Sequence, residues 1–154
     1  MPTATRNEHV TIGGLLMATT AIDCFDWADL TQSPEHRGGD FTVPGVPGDL
    51  PVVREAGPLQ ALLRIRINGK YAHSDGTSTG ATEPAWRAGA YAAFQLVHDV
   101  AAVTTTQTLT LTDTDAAVSA SAPCQTLSLS TDRRDTPWVW VCSLSVKVPG
   151  GTIF

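Results

Sequence analysis

Between Arg37 and Arg54 the chain reads Arg37-Gly-Gly-Asp40-Phe41-Thr-Val-Pro44-Gly45-Val-Pro47-Gly48-Asp49-Leu50-Pro51-Val-Val-Arg54. Proline at the second position of a turn presets φ, and glycine at the third accepts a positive φ, so each Pro-Gly step predicts a type II turn. No helix can cross this stretch, because Pro44 and Pro47 each remove a backbone donor and clash with the preceding turn. The run predicts a ribbon of short strands that folds back sharply, with Asp40, Asp49 and Arg54 at its edges. Such an element is better suited to meeting a neighbour than to presenting a nucleophile.

The rest of the chain, 154 residues in all, has the length of one ordinary domain with a single core. We expect an extended or disordered leader over residues 1–8 and one β domain over residues 9–154. Apolar residues make up 42% and charged residues 16%, and abundant Thr and Ser suit strands more than surface helices. A net charge of −5 without a Lys/Arg cluster beyond Arg64/Arg66 and Arg133-Arg134 argues against phosphate-backbone binding. Cys24, Cys124 and Cys142 are widely spaced and form no C-x-x-C, so they read as reduced, small apolar residues. The polar start, Thr3 to Val10, does not resemble a signal peptide. The longest apolar helical stretch is broken by Gln95, His98 and Asp99, which argues against a membrane span.

His9-Val-Thr-Ile12 before Gly13-Gly14 predicts a strand and turn, and Ile22 to Trp27 a second strand. Leu59 to Asn68 ends in clean alternation, with Leu63, Ile65 and Ile67 on one face and Arg64, Arg66 and Asn68 on the other. Thr82-Glu83-Pro84 opens the one convincing helix, about residues 83–102. Trp86, Ala90, Phe94, Val97 and Ala101 form its predicted buried stripe, opposite Arg87, Tyr91, Gln95 and His98. Three strand regions follow: Thr108 to Thr112; Ala117 to Ser130, holding one strand and room for another near Leu127 and Leu129; and Trp138 to Val148. In the last, Trp138, Trp140, Cys142, Leu144, Val146 and Val148 alternate with Val139, Val141, Ser143, Ser145 and Lys147. Strands, one helix, then strands, with no βα repeat, predict a mainly β fold: an antiparallel sandwich or open barrel with one flanking α-helix.

Chemistry is thin by comparison. His9, His36, His73 and His98 show no H-x-x-x-H or H-x-H spacing, so no metal site is expected. Asp23, Asp26 and Asp29 recur every three residues but lack an EF-hand's central Gly and terminal Glu. In a regular strand Asp23 and Asp29 would share a face and Asp26 would not. The Gly76-Thr-Ser-Thr-Gly80 loop lacks the Gly-Lys-Ser/Thr ending of a phosphate loop. No catalytic residue and no cofactor is expected. A small hydrolase using Asp23, Asp26 or His98 would need a motif that the sequence lacks. A carbohydrate-binding module using Trp27, Trp86, Trp138 and Trp140 would need at least two of these exposed and coplanar.

Ile12-Gly-Gly14, the Asp40 to Arg54 run, Leu62-Leu-Arg-Ile-Arg-Ile67-Asn68-Gly69, the helix, Thr106-Gln-Thr-Leu-Thr-Leu111 and the closing Ser143-Leu-Ser-Val-Lys-Val148-Pro-Gly-Gly-Thr-Ile-Phe154 follow in that order. Together they resemble the minor tail proteins of long-tailed actinobacterial phages (siphoviruses), similar to the N-terminal domain of distal tail proteins. The resemblance implies the tail-tube fold and a structural virion protein, assembled in the host cytoplasm, that forms a homo-oligomeric ring, commonly a hexamer. Such a ring joins the tail tube to the tip complex or baseplate and lets DNA through without specific binding. A tube, terminator or connector subunit of the same fold is an alternative. The same resemblance makes Asp40, Phe41, Pro44, Gly45, Pro47, Gly48, Asp49 and Arg54 subunit-interface candidates. It makes Arg64, Arg66, Asn68, Ser143, Ser145 and Lys147 channel-wall candidates. The sequence departs from the larger distal tail proteins in having no C-terminal extension, so no receptor- or sugar-binding module is expected. A lumen face should be polar or acidic, so Arg64 and Arg66 are expected to find carboxylates across a subunit boundary.

Overall fold

The computed structural model describes residues 2–28, 36–37, 41–42, 49–50, 55–56 and 59–150. Its strands are β1 (Glu8–Ile12), β2 (Leu15–Leu16), β3 (Ile22–Ala28), β4 (His36–Arg37), β5 (Phe41–Thr42), β6 (Asp49–Leu50), β7 (Glu55–Ala56) and β8 (Leu59–Asn68). Helix α1 (Glu83–Ala101) follows, then β9 (Gln107–Asp113), β10 (Val118–Thr136) and β11 (Val139–Val148). Seven strands form one antiparallel sheet in the order β2-β1-β9-β10-β11-β8-β3. Its two ends meet where the chain leaves β2. Met17 N–H donates to Val10 O at 3.0 Å, Cys24 N–H donates to Met17 O at 2.8 Å, and Ala18 bridges Asp23. The sheet therefore curls into an open barrel, the mainly β architecture that the strand pattern predicts.

Alternation decides which face is dry. Leu59, Ala61, Leu63, Ile65 and Ile67 of β8 are buried with Trp140, Cys142, Leu144, Val146 and Val148 of β11. Val10, Ile12 and Leu109 close the same core from β1 and β9. Each such aliphatic side chain contributes about 1.5–3 kcal/mol on burial. Helix α1 covers this core with Ala90, Ala93, Val97 and Val100, while Trp86, Phe94 and Ala101 pack partly buried beside them. The predicted stripe is thus shifted slightly around the helix, and Arg87, Tyr91, Gln95 and His98 are exposed as expected.

Three local expectations need correction. Thr82 does sit at the N-cap in an extended conformation, yet its hydroxyl makes no capping hydrogen bond. The far end of α1 is capped from the strands instead: Gln107 Nε2 donates to Val100 O at 2.9 Å, and Thr126 Oγ1 donates to Ala101 O at 3.0 Å. Trp138 lies in the turn before β11 and is only partly buried, its ring centroid 5.1 Å from that of Trp86. Finally, the region around Leu127 and Leu129 is not a separate strand. β10 is one strand that pairs with β9 up to Cys124 and with β11 from Gln125 onward, carrying three register shifts. Bulges of this kind bend a strand without ending it, which lets β10 turn the barrel's corner.

The leader is tied to this body. Thr5 N–H and its hydroxyl both donate to Ala18 O, at 2.7 and 2.8 Å, and Arg6 Nη2 lies 2.8 Å from Asp23 Oδ1 while also donating to Cys24 O.

Candidate assembly surfaces

Two short ladders are described between β3 and β8. Phe41 pairs with Leu50 and Thr42 with Asp49; His36 pairs with Ala56 and Arg37 with Glu55. Both ladders are antiparallel, with registers one residue apart. Neither ladder belongs to the seven-stranded sheet. Of the interface candidates, Phe41 lies on β5 and Asp49 on its partner β6. Asp40, Pro44, Gly45, Pro47, Gly48 and Arg54, with the two expected type II turns, lie outside the described residues.

The second surface is the face of β8 and β11 turned away from the core. Ser143 pairs with Arg64, Val141 with Arg66, Val139 with Asn68, Ser145 with Leu62 and Lys147 with Gln60. Arg64, Arg66, Asn68, Ser143, Ser145 and Lys147 therefore share one polar face, as their alternation predicts. β3 extends it: Asp23 is opposite Arg66 and Asp26 opposite Arg64. Asp23 and Asp26 share this face because a register shift between Cys24 and Asp26 reverses the alternation, which overturns the expectation that they point to opposite sides. Sequence spacing alone carried no sign of that bulge.

The arginines find partners within their own chain. Arg64 Nη1 lies 3.5 Å from Asp26 Oδ2, with both side chains about half exposed, 49% and 47%. The Arg66 guanidinium sits 5.0 Å from the centroid of the Phe25 ring. Asp132, which sequence reasoning passed over, accepts hydrogen bonds from Ser143 and, at 3.2 Å, from Ser130. The face is thus interleaved and largely self-paired rather than acidic. Burial raises the Asp23 carboxyl above its ordinary range, the nearby charges of Arg6 and Arg66 only partly offsetting that effect.

The alternatives fare differently. Asp23 and Asp26 lie on the outward face of the sheet, whereas His98 is exposed on α1, which packs on the opposite, buried face; no hydrolytic trio forms. Trp140 is 2% exposed, and Trp27, Trp86 and Trp138 are partly buried. The Trp86 and Trp138 rings meet at 60°, with Lys70 Nζ 4.4 and 5.3 Å from their centroids. The exposed, coplanar pair that a sugar platform needs is therefore absent. Among the described residues no three His, Cys, Asp or Glu side chains are grouped to hold a metal. Among the described residues no helix is long and apolar enough to cross a membrane.

A polar cleft of about 460 Å³ opens between Thr3, Thr5, Thr20, His73 and Asp75. His73 Nδ1 lies 3.0 Å from the hydroxyl of buried Thr19, which in turn accepts Ile22 N–H at 3.1 Å. Burial lowers the His73 pKa below its ordinary value, so the ring is held neutral. Its geometry anchors a turn. All three thiols are free and buried, with Cys24 pushed up to about 12 and Cys124 to about 11 by loss of hydration.

The fold so defined is similar to that of two solved proteins of phage adsorption machinery. The SPP1 Dit protein, described as a paradigm of the hub adsorption apparatus in phages infecting Gram-positive bacteria, superposes with a TM-score of 0.59 at 10% identity. The match takes in 94% of this chain and 50% of that one. A chain of the phage p2 baseplate, in its activated conformation with Sr, gives 0.61 at 8% identity over 92% of this chain and 44% of its own. The chain thus spans about half the length of either structure. No protein-family model matches the sequence, and no curated protein matches it.

Proposed function

We propose that this chain is a structural, non-enzymatic subunit of a phage tail. It forms a ring, of six copies as the resemblance implies, that joins the tail tube to the tip complex. The observation carrying this reading is the correspondence of nearly the whole chain with tail hub folds. The two short ladders outside the seven-stranded sheet support it, since they offer edges with which a sibling can pair. The outward face of β8 and β11 supports a DNA passage in a particular way. Arg64 is paired with Asp26, and carboxylates of Asp23 and Asp132 are interleaved with the face's cations, which lowers the positive charge a sliding phosphate backbone meets. Three buried free thiols fit assembly in a reducing host cytoplasm. A tube, terminator or connector subunit would share the fold and differ in its place along the tail.

Light scattering coupled to size exclusion tests the ring: the expected mass is a fixed multiple of 16.3 kDa. A strict monomer across concentrations from micromolar to near-millimolar would overturn it.

A further inference from the structure

β3 is the last strand of the seven-stranded sheet, and a bare outer edge there would be a template for further pairing. At its start the edge is not bare. Ile22 N–H donates to Thr19 Oγ1 at 3.1 Å, and Ile22 O accepts Thr19 N–H at 2.9 Å. Cys24 N–H donates to Met17 O at 2.8 Å, and Cys24 O accepts the Arg6 guanidinium. The first three of these groups are served by the connection from β2 to β3, which cannot leave. The Cys24 carbonyl is served by a side chain of the leader, which can. Asp23 holds Arg6 in place at 2.8 Å, and Thr5 beside it donates twice to Ala18 O, at 2.7 and 2.8 Å. A guanidinium has donors enough to serve carboxylate and carbonyl together.

The clasp sits where the edge becomes open. Beyond it, a slot of about 350 Å³ lies between Arg6 and Glu8 on one side and Phe25, Asp26 and Trp27 on the other. Among the described residues no strand pairs with β3 on this side beyond Cys24. The same chain carries a second long edge. From Gln125 onward β10 pairs with β11 alone, and Ser130 to Asp135 are exposed. Two unlike edges on one chain can join head to tail between copies. A strand arriving at β3 needs the Cys24 carbonyl that Arg6 holds.

We propose that the leader is an autoinhibitory clasp: Arg6 blocks β3 until the β10 edge of a second copy displaces it. This deepens the ring reading and rests on it. Light scattering after a concentration jump follows assembly of the full chain. Arg6→Ala should assemble several-fold faster than the parent, with Arg6→Lys, which keeps the charge and loses the fork, in between. The converse variant pairs Thr3→Cys with Ser74→Cys, two exposed residues that line the cleft beside the leader. Joined by a short bis-maleimide, they should hold the leader down and slow assembly several-fold relative to the same variant unjoined. The native thiols are buried and react last. An Arg6→Ala protein that assembles at the parent rate, or a joined variant as fast as the unjoined one, overturns the clasp and leaves the ring standing. If Arg6→Ala fails to fold, the joined variant alone decides. A strict monomer in every form overturns both.

Discussion

Where β8 ends, Gly69 meets Gly89 of α1 backbone to backbone, and that contact sets how closely the helix lies on the sheet. A Cβ added at Gly89 would stand 2.2 Å from Gly69 O and 3.0 Å from Thr79 Cγ2. A Cβ at Gly69 would stand 2.1 Å from Trp86 O and 2.4 Å from Ala90 N. Backbone atoms cannot rotate aside, so α1 would have to lift. Thr79 Oγ1 also donates to Gly69 O at 2.6 Å, and Gly69 N–H donates to Trp138 O at 2.8 Å; lifting strains these bonds too. Helix propensity alone favours Gly89→Ala by about 1 kcal/mol. Overpacking of this kind costs about 1–3 kcal/mol, here at the upper end. The net expectation is about 2 kcal/mol of destabilisation, or roughly 4–8 °C in Tm for a chain of this size. Gly69→Ala gains nothing from propensity and should cost more, about 3 kcal/mol. The double variant should fall short of the sum, because both changes relieve one contact. Thermal melts followed by circular dichroism decide it. A Gly89→Ala protein that melts at or above the parent temperature would refute the reasoning.

Three further outcomes follow from the same structure. Because the folded His73 pKa lies below its unfolded value, the unfolded chain binds more protons as pH falls through about 6.5. Stability should therefore drop below that pH, and His73→Gln should flatten the dependence in denaturant titrations; an unchanged slope would count against the buried ring. The three thiols should resist a chromogenic disulfide reagent at pH 8 in the native protein and react fully in denaturant, whereas rapid native labelling would contradict their burial. Arg64→Ala should cost less than about 1 kcal/mol, since its ion pair with Asp26 is half exposed and screened; urea melts showing a loss of several kcal/mol would mean Arg64 carries more than this exposed pair.

The fold was readable from sequence wherever one face is dry. β8 and β11 show clean alternation, and α1 shows its helical stripe between Pro84 and the β-branched run after Val103, so their bounds fall where the pattern puts them. What escaped lies in backbone irregularity, which leaves no periodic trace. The Cys24/Asp26 shift realigned two carboxylates with two arginines, and the shifts along β10 fused two expected strands into one. Closure of the barrel at Met17 escaped for a related reason, since it depends on a handful of backbone hydrogen bonds rather than on side-chain pattern. The polar sheet face was legible as a face. Its internal pairing was not, because Asp26 meets Arg64 and Asp132 meets Ser143 only through those irregular registers.

Everything functional proposed for this chain comes down to copies of it closing around an axis within a virus particle. Imaging intact virions that carry it, with this subunit fitted to the tail density, tests that most directly. The account predicts a closed ring where the tail tube meets the tip, with the Arg64–Ser143 face towards the central channel. Density for an isolated copy on the outside of the tail, or a virion without the chain, would contradict it.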